Sequence, residues 1–132
     1  MSRENLDAWL RILDAYNRRD RSAFLAEMHP DVETIPLPEW PEPGPYVGED
    51  VWNFHVGFAE AWGEATPPRP TELLELGDKL LTCLERTALG GASQISVSYS
   101  VYGVITFRDG KVARLQWFPR REDALAAARP LE

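Results

Sequence analysis

The sequence predicts an α+β fold in which two helices, a strand, a proline-rich flap and a third helix precede four antiparallel strands, the element order of a cone-shaped fold. Three observations predict it. Apolar residues recur at helical spacing at Leu6, Trp9, Leu10, Leu13 and Tyr16. From Ile95 to Phe107, apolar Ile95, Val97, Tyr99, Val101, Ile105 and Phe107 alternate with a series that contains Ser96, Ser98 and Ser100, a strand's period of two. Asp109 and Gly110 then separate that run from KVARLQWF, as a tight hairpin does.

The elements follow in order. Helix one covers residues 3–18. Asp20 is placed to cap a short second helix, SAFLAEM, by accepting amide hydrogens of its first turn. His29 and Pro30 are expected to end that helix, because a proline disfavours the α conformation in the residue before it. Val32 to Leu37 alternates and is rich in β-branched residues, so a first strand is expected there, stopped by prolines that cannot donate to a ladder. PLPEWPEPGPY, residues 36–46, is too rigid for a linker and too apolar to float free. It lacks the basic flanks of a polyproline ligand, and the preferred reading is a flap that presses Trp40 and Tyr46 over a pocket; its prolines reduce the entropy lost on ordering. Residues 49–62 form helix three, ended by TPPRP at 66–70. Strands TELLELG and KLLTCLERTAL flank a Gly77–Asp78 turn, and REDALAAAR closes the chain as a helix.

Composition narrows the class. A chain of 132 residues with 44% hydrophobic and 27% charged residues reads as a single domain spanning residues 1–132. A net charge of −7 without a basic, aromatic-bearing cluster argues against nucleic acid. Cys83 is alone, and MSRENLDAWL lacks the pattern of a signal peptide, so a cytoplasmic location is expected. No stretch approaches the ~18 apolar residues of a membrane span.

Candidate site residues come from face assignments. On a helical wheel Asn53, Gly57, Glu60 and Glu64 oppose Val51, His55, Phe58, Ala59 and Trp62, with Trp52 alongside. His55 therefore sits at the centre of an apolar face. A satisfied core histidine and a titrating group in a cavity wall are about equally good readings; burial lowers its pKa and a carboxylate neighbour raises it. Tyr16 flanks the stripe of helix one, where a phenol can pack its ring and aim its hydroxyl at a partner. Glu85 and Arg86 are adjacent in a strand, so one of them points inward, as half of an ion pair or as a ligand contact. Trp117 and Leu115 share one face of the last strand, and a core role suits that tryptophan better than a cofactor platform. The serine-rich face from Ser93 to Ser100 could pack against a second copy. His29 and His55 make no metal signature, and GxGxxG, GxxxxGK[ST] and GxSxG are missing.

Four segments carry a resemblance: AYNRRDRSAFLAEMHPDVE (15–33), YVGEDV (46–51), ELGDKLL (75–81) and VITFRDGKVARLQWFPRREDALAAA (104–128). With them the chain resembles a SnoaL-like protein of the nuclear transport factor 2-like superfamily, to which ketosteroid isomerase and the polyketide cyclases belong. The resemblance implies a curved antiparallel sheet wrapped around helix one, an apolar pocket inside it, and the segment before helix three near the mouth. It places Tyr16, Thr34, His55, Val101 and Trp117 along the pocket. It also puts the isomerase's oxyanion tyrosine at Ile12, its base at Pro36, its neutral acid at Gly103, and the cyclase's acid near Trp117. None of these residues can do that chemistry, which leaves His55 as the proton-transfer candidate. The expectation is a small-molecule-binding protein whose mostly apolar ligand meets Trp40, Trp52, Phe54, Phe58, Val101, Trp117 and an inward Arg86 or Glu85. No cofactor, nucleic acid or membrane partner is expected, and a homodimer through the sheet is. As an enzyme it is expected to be an isomerase, lyase or hydrolase with His55 as acid or base and Tyr16 as oxyanion donor. The alternative is a non-catalytic ligand-binding or dimerisation module.

Overall fold

Four helices and six strands make up the computed structural model, which describes residues 3–62, 64–90 and 95–129. In chain order they are α1 (Arg3–Asn17), α2 (Arg21–Ala26), β1 (Met28–Ile35), β2 (Tyr46–Val47), α3 (Asp50–Trp62), β3 (Glu64–Leu76), β4 (Lys79–Gly90), β5 (Ile95–Arg108), β6 (Lys111–Phe118) and α4 (Arg121–Ala128). One sheet holds all the strands in the order β2-β1-β6-β5-β4-β3. Its neighbours are antiparallel except β1 and β6, which run parallel. The sheet is therefore mixed rather than purely antiparallel, because the first strand returns to lie beside the last.

Helix α1 buries Ala8, Trp9, Ile12, Leu13, Ala15 and Tyr16, whereas Leu10 is 41% exposed. The buried stripe is thus rotated toward Ile12 relative to the one read from spacing alone. Arg19 takes a left-handed conformation, φ 56°, just beyond the helix, a common way to end one. Asp20 caps α2 as expected, its carboxylate accepting from Ala23 N at 3.1 Å.

Two proline expectations are corrected. His29 and Pro30 do not stop a helix; α2 has already ended at Ala26, and both residues lie in β1. The β1–β6 register shifts between Met28 and Glu33, a bulge where a residue without N–H is tolerated. TPPRP likewise belongs to β3, an edge strand whose register shifts between Thr66 and Arg69 and between Pro70 and Glu72. An edge strand leaves one side of its backbone unpaired, so prolines there cost no ladder bond.

The inner sheet face packs Leu80, Leu84, Val101, Ile105, Leu115 and Trp117 against α1, α2 and α3 in one core cluster. On the outer face Leu81 and Val104 pack beneath Ala124 and Ala128 of α4. At the β5–β6 turn Asp109 and Gly110 have φ 55° and 81°, the positive angles that a two-residue hairpin needs. Ser98 and Ser100 are exposed on the outer face. Ser93 and the side chains of Trp62, Glu64 and Ser96 lie outside the described residues. No described helix is long and apolar enough to cross a membrane.

Candidate active site

Strand parity decides which residues look inward. Leu84 faces the core, so Arg86 does too and is only 6% exposed, while Glu85 turns outward to an ion pair with Arg69. An Arg86 guanidinium nitrogen donates to Tyr16 Oη at 3.0 Å, and its central carbon lies 5.1 Å from the Phe58 ring centroid. The α1 stripe thereby aims the Tyr16 hydroxyl at a cation.

Trp117 enters from β6. Its Nε1 donates to buried Thr34 Oγ1 of β1 at 3.1 Å. Gly103 pairs with it across the β5–β6 ladder, and a Cβ at that glycine would come within 2.6 Å of the indole. The ring therefore lies directly on the glycine backbone, in space that any side chain at 103 would take.

His55 comes from α3. Its Nδ1 is 2.7 Å from Val51 O. A carbonyl oxygen can only accept, so Nδ1 carries the proton and Nε2 is left as an acceptor. The ring as a whole is half-buried, yet Nε2 is sealed and has no hydrogen-bond partner among the described residues. Phe54, Trp117 and Phe24 surround it, with ring centroids 5.1, 5.7 and 6.0 Å away. Burial lowers its pKa to about 4; the bond to Val51 opposes that shift and the charge of Arg86 adds to it. Of the two effects weighed for this histidine, burial wins, and the imidazole is neutral at pH 7.

Two small cavities meet at this point, each of about 20 Å³, room for about one water. The first lies under the flap and is walled by Leu37, Phe54, His55, Phe58, Arg86, Val101 and Trp117. The second lies under α1, where Trp9, Ile12, Tyr16 and Phe24 join the same His55, Arg86 and Trp117. These three side chains form a shared wall between the voids.

The proline-rich segment does fold over α3. Trp40 contacts Phe54 and Phe58, each with a centroid separation of 5.4 Å, and Tyr46 stacks on Phe54 at 4.8 Å. Trp40 Nε1 donates to Tyr46 Oη at 3.1 Å, and Tyr46 Oη donates to Glu42 O at 3.2 Å. Outside the flap an open groove of about 470 Å³ runs along Trp40, Tyr46, Asp50 and Phe54. Phe54 walls both the groove and the first cavity.

His55, Phe54, Phe58, Arg86, Val101 and Trp117 thus come together around the first cavity, and Tyr16 faces the second. Thr34 stands behind Trp117 as its acceptor, and Trp40 covers Phe54 and Phe58 from outside. Trp52 packs edge-on against Phe24 at 5.0 Å and lines neither cavity. Leu37 and Trp9, not singled out as site residues, do line them. Trp9 was readable as core from its helical spacing, whereas nothing local distinguishes Leu37 from the end of a strand. Among the described residues no group of three or more His, Cys, Asp or Glu could hold a metal.

No protein-family model and no curated protein matches the chain. Solved structures do. TerC, co-crystallised with polyporic acid, is 23% identical with a TM-score of 0.73, over 95% of this chain and 97% of that one. An NTF2-like protein of unknown function from Burkholderia pseudomallei is 19% identical, with a TM-score of 0.73 over 98% and 100% of the two chains. An NTF2-like protein from Burkholderia xenovorans is 23% identical, with a TM-score of 0.71 over 98% of each. The fold is therefore nuclear transport factor 2-like, an α+β cone with a curved sheet.

Proposed function

We propose that the chain binds a small, mostly apolar molecule between the flap, α3 and the inner sheet face, with His55 Nε2 accepting a hydrogen bond from it. The observation that carries this reading is the buried Nε2, a partnerless acceptor in a wall shared by two voids. An unsatisfied buried polar atom costs about 1–3 kcal/mol. A ligand that brings a donor recovers that cost, and Phe54, Phe58 and Val101 supply the apolar contact. The co-crystallisation of TerC with polyporic acid supports a small-molecule ligand for this fold. Because each void is water-sized, the ligand must displace the shared wall or lift the flap, and the groove beside Phe54 is the approach.

Should the bound molecule react, neutral His55 is the general base and Tyr16, polarised by Arg86, the donor to a developing oxyanion. Isomerase, lyase or hydrolase chemistry without a cofactor fits that pair. Binding is tested by thermal unfolding against a panel of small aromatic and alicyclic compounds. A ligand at a hundred times its Kd is expected to stabilise the wild type by about 2.7 kcal/mol. In His55→Leu the affinity should fall about fivefold to tenfold, the worth of one neutral hydrogen bond. A wild type that no compound stabilises would sink the reading.

A second reading is that two copies pair through the outer sheet face. The exposure of Ser98 and Ser100 on that face favours it. Sedimentation should then report a dimer, and a monomer at high micromolar concentration refutes the pairing.

A further inference from the structure

The cavity under α1 carries an imbalance that ligand binding alone does not use. Trp9, 2% exposed, lines it, and its Nε1–H has no hydrogen-bond partner among the described residues. His55 lines the same cavity with its partnerless Nε2. The indole can only donate, and Nε2 can only accept while Val51 O holds the Nδ1 proton. One small space therefore offers an unused donor and an unused acceptor.

We propose that this cavity receives a hydroxyl group of the ligand, which accepts from Trp9 Nε1 and donates to His55 Nε2, so that the protein selects alcohols or phenols. The inference rests on the binding reading above and sharpens it. A hydroxyl is the small group that does both at once. A ketone or an ether accepts from Trp9 and leaves Nε2 bare. A carboxylate does the same and sets its charge against the imidazole lone pair. An ammonium donates to His55 but cannot accept from Trp9, and it meets the charge of Arg86 in the same wall. The volume of about 20 Å³ takes one oxygen-sized group, and both nitrogens belong to residues that line it. The hydroxyl is thus the buried tip of the ligand, and with Arg86 displaced from the shared wall while His55 stays in place, the apolar body lies toward Phe54, Phe58 and the flap.

The test compares phenol, anisole and toluene, which share a ring and differ in what they donate and accept. Isothermal titration of the wild type should show phenol binding about threefold tighter than anisole, which keeps the bond from Trp9, and at least about tenfold tighter than toluene, the worth of two modest hydrogen bonds. In Trp9→Phe, checked for folding by circular dichroism, the preference over toluene should shrink to about threefold. The Trp9 indole N–H resonance of the wild type, assigned with the same variant, should move downfield with phenol and not with toluene. If the three compounds bind alike, the apolar pocket stands and the hydroxyl site falls. If none binds, both fall. A preference for phenol over toluene that survives intact in folded Trp9→Phe, or an indole resonance unmoved at saturating phenol, also overturns the hydroxyl site.

Discussion

Gly103→Ala is expected to lower the unfolding free energy by about 1–3 kcal/mol, as overpacking of a filled core does. Gly103→Asp should cost about 3–5 kcal/mol, because it adds a buried carboxylate with no partner. The reason is the 2.6 Å approach of a position-103 Cβ to the Trp117 ring. The indole cannot slide away cheaply, since Nε1 is held by Thr34 Oγ1 and one ring edge abuts His55. Urea denaturation of both variants checks the order, and a Gly103→Ala protein as stable as the wild type contradicts the packing. In Trp117→Phe the smaller ring leaves room, so the cost of Gly103→Ala should shrink, a coupling of about 0.5–3 kcal/mol. The resemblance puts the isomerase's neutral acid at Gly103 and the cyclase's acid near Trp117. Here the Trp117 ring fills the space that a side chain at Gly103 would take.

Acidification from pH 6.5 to pH 4 is expected to destabilise the protein by about 3 kcal/mol through His55 alone. The folded ring titrates at about 4 and the unfolded ring near 6.5. Between those values the unfolded state binds more protons, so stability is greatest above 6.5, falls with pH across the window, and stops falling on this account below 4. Carboxylates act lower on the scale. Ala23 N–H and Arg18 hold Asp20 below its ordinary value, Arg11 holds Glu27 down, and Arg121 holds Glu72 down. Their contributions are lost only as pH drops beneath the normal carboxylate range. Urea midpoints at half-unit steps should therefore slope between pH 6.5 and 4.5 in the wild type and run flatter in His55→Phe. Equal slopes in the two proteins would show that the ring is not buried as described.

Local pattern carried much of this fold. The alternation from Ile95 to Phe107 became β5, and Asp109–Gly110 became the hairpin turn. The helical stripe was misjudged at Leu10 because spacing gives a face only to within a residue. What spacing could not carry is long-range. Nothing near Pro30 or Pro68 says that these prolines sit in bulged or edge strands, because that depends on which strand lies alongside. The choice between Glu85 and Arg86 needed the register of β4 against its neighbours. His55 was legible as an apolar-face histidine, but its bond to Val51 O and the bare Nε2 depend on how Phe54, Phe24 and Trp117 close around it.

The parallel pairing of β1 with β6 sets a calendar for the newborn chain. Helices α1 and α2 and strand β1 leave the ribosome well before β6, the partner that holds β1, is made. Among the described residues, β1 pairs apart from β6 only with the two residues of β2. The bond from Trp117 to Thr34 spans 83 residues, and contacts of such separation form late and slowly. A ribosome-bound chain ending before Lys111 has α3 and its histidine but no Trp117, and the strand that leads into the flap has two-residue β2 but not β6 beside it. Strand β6, made after the other described strands, is therefore the one that turns a set of apolar surfaces into a site.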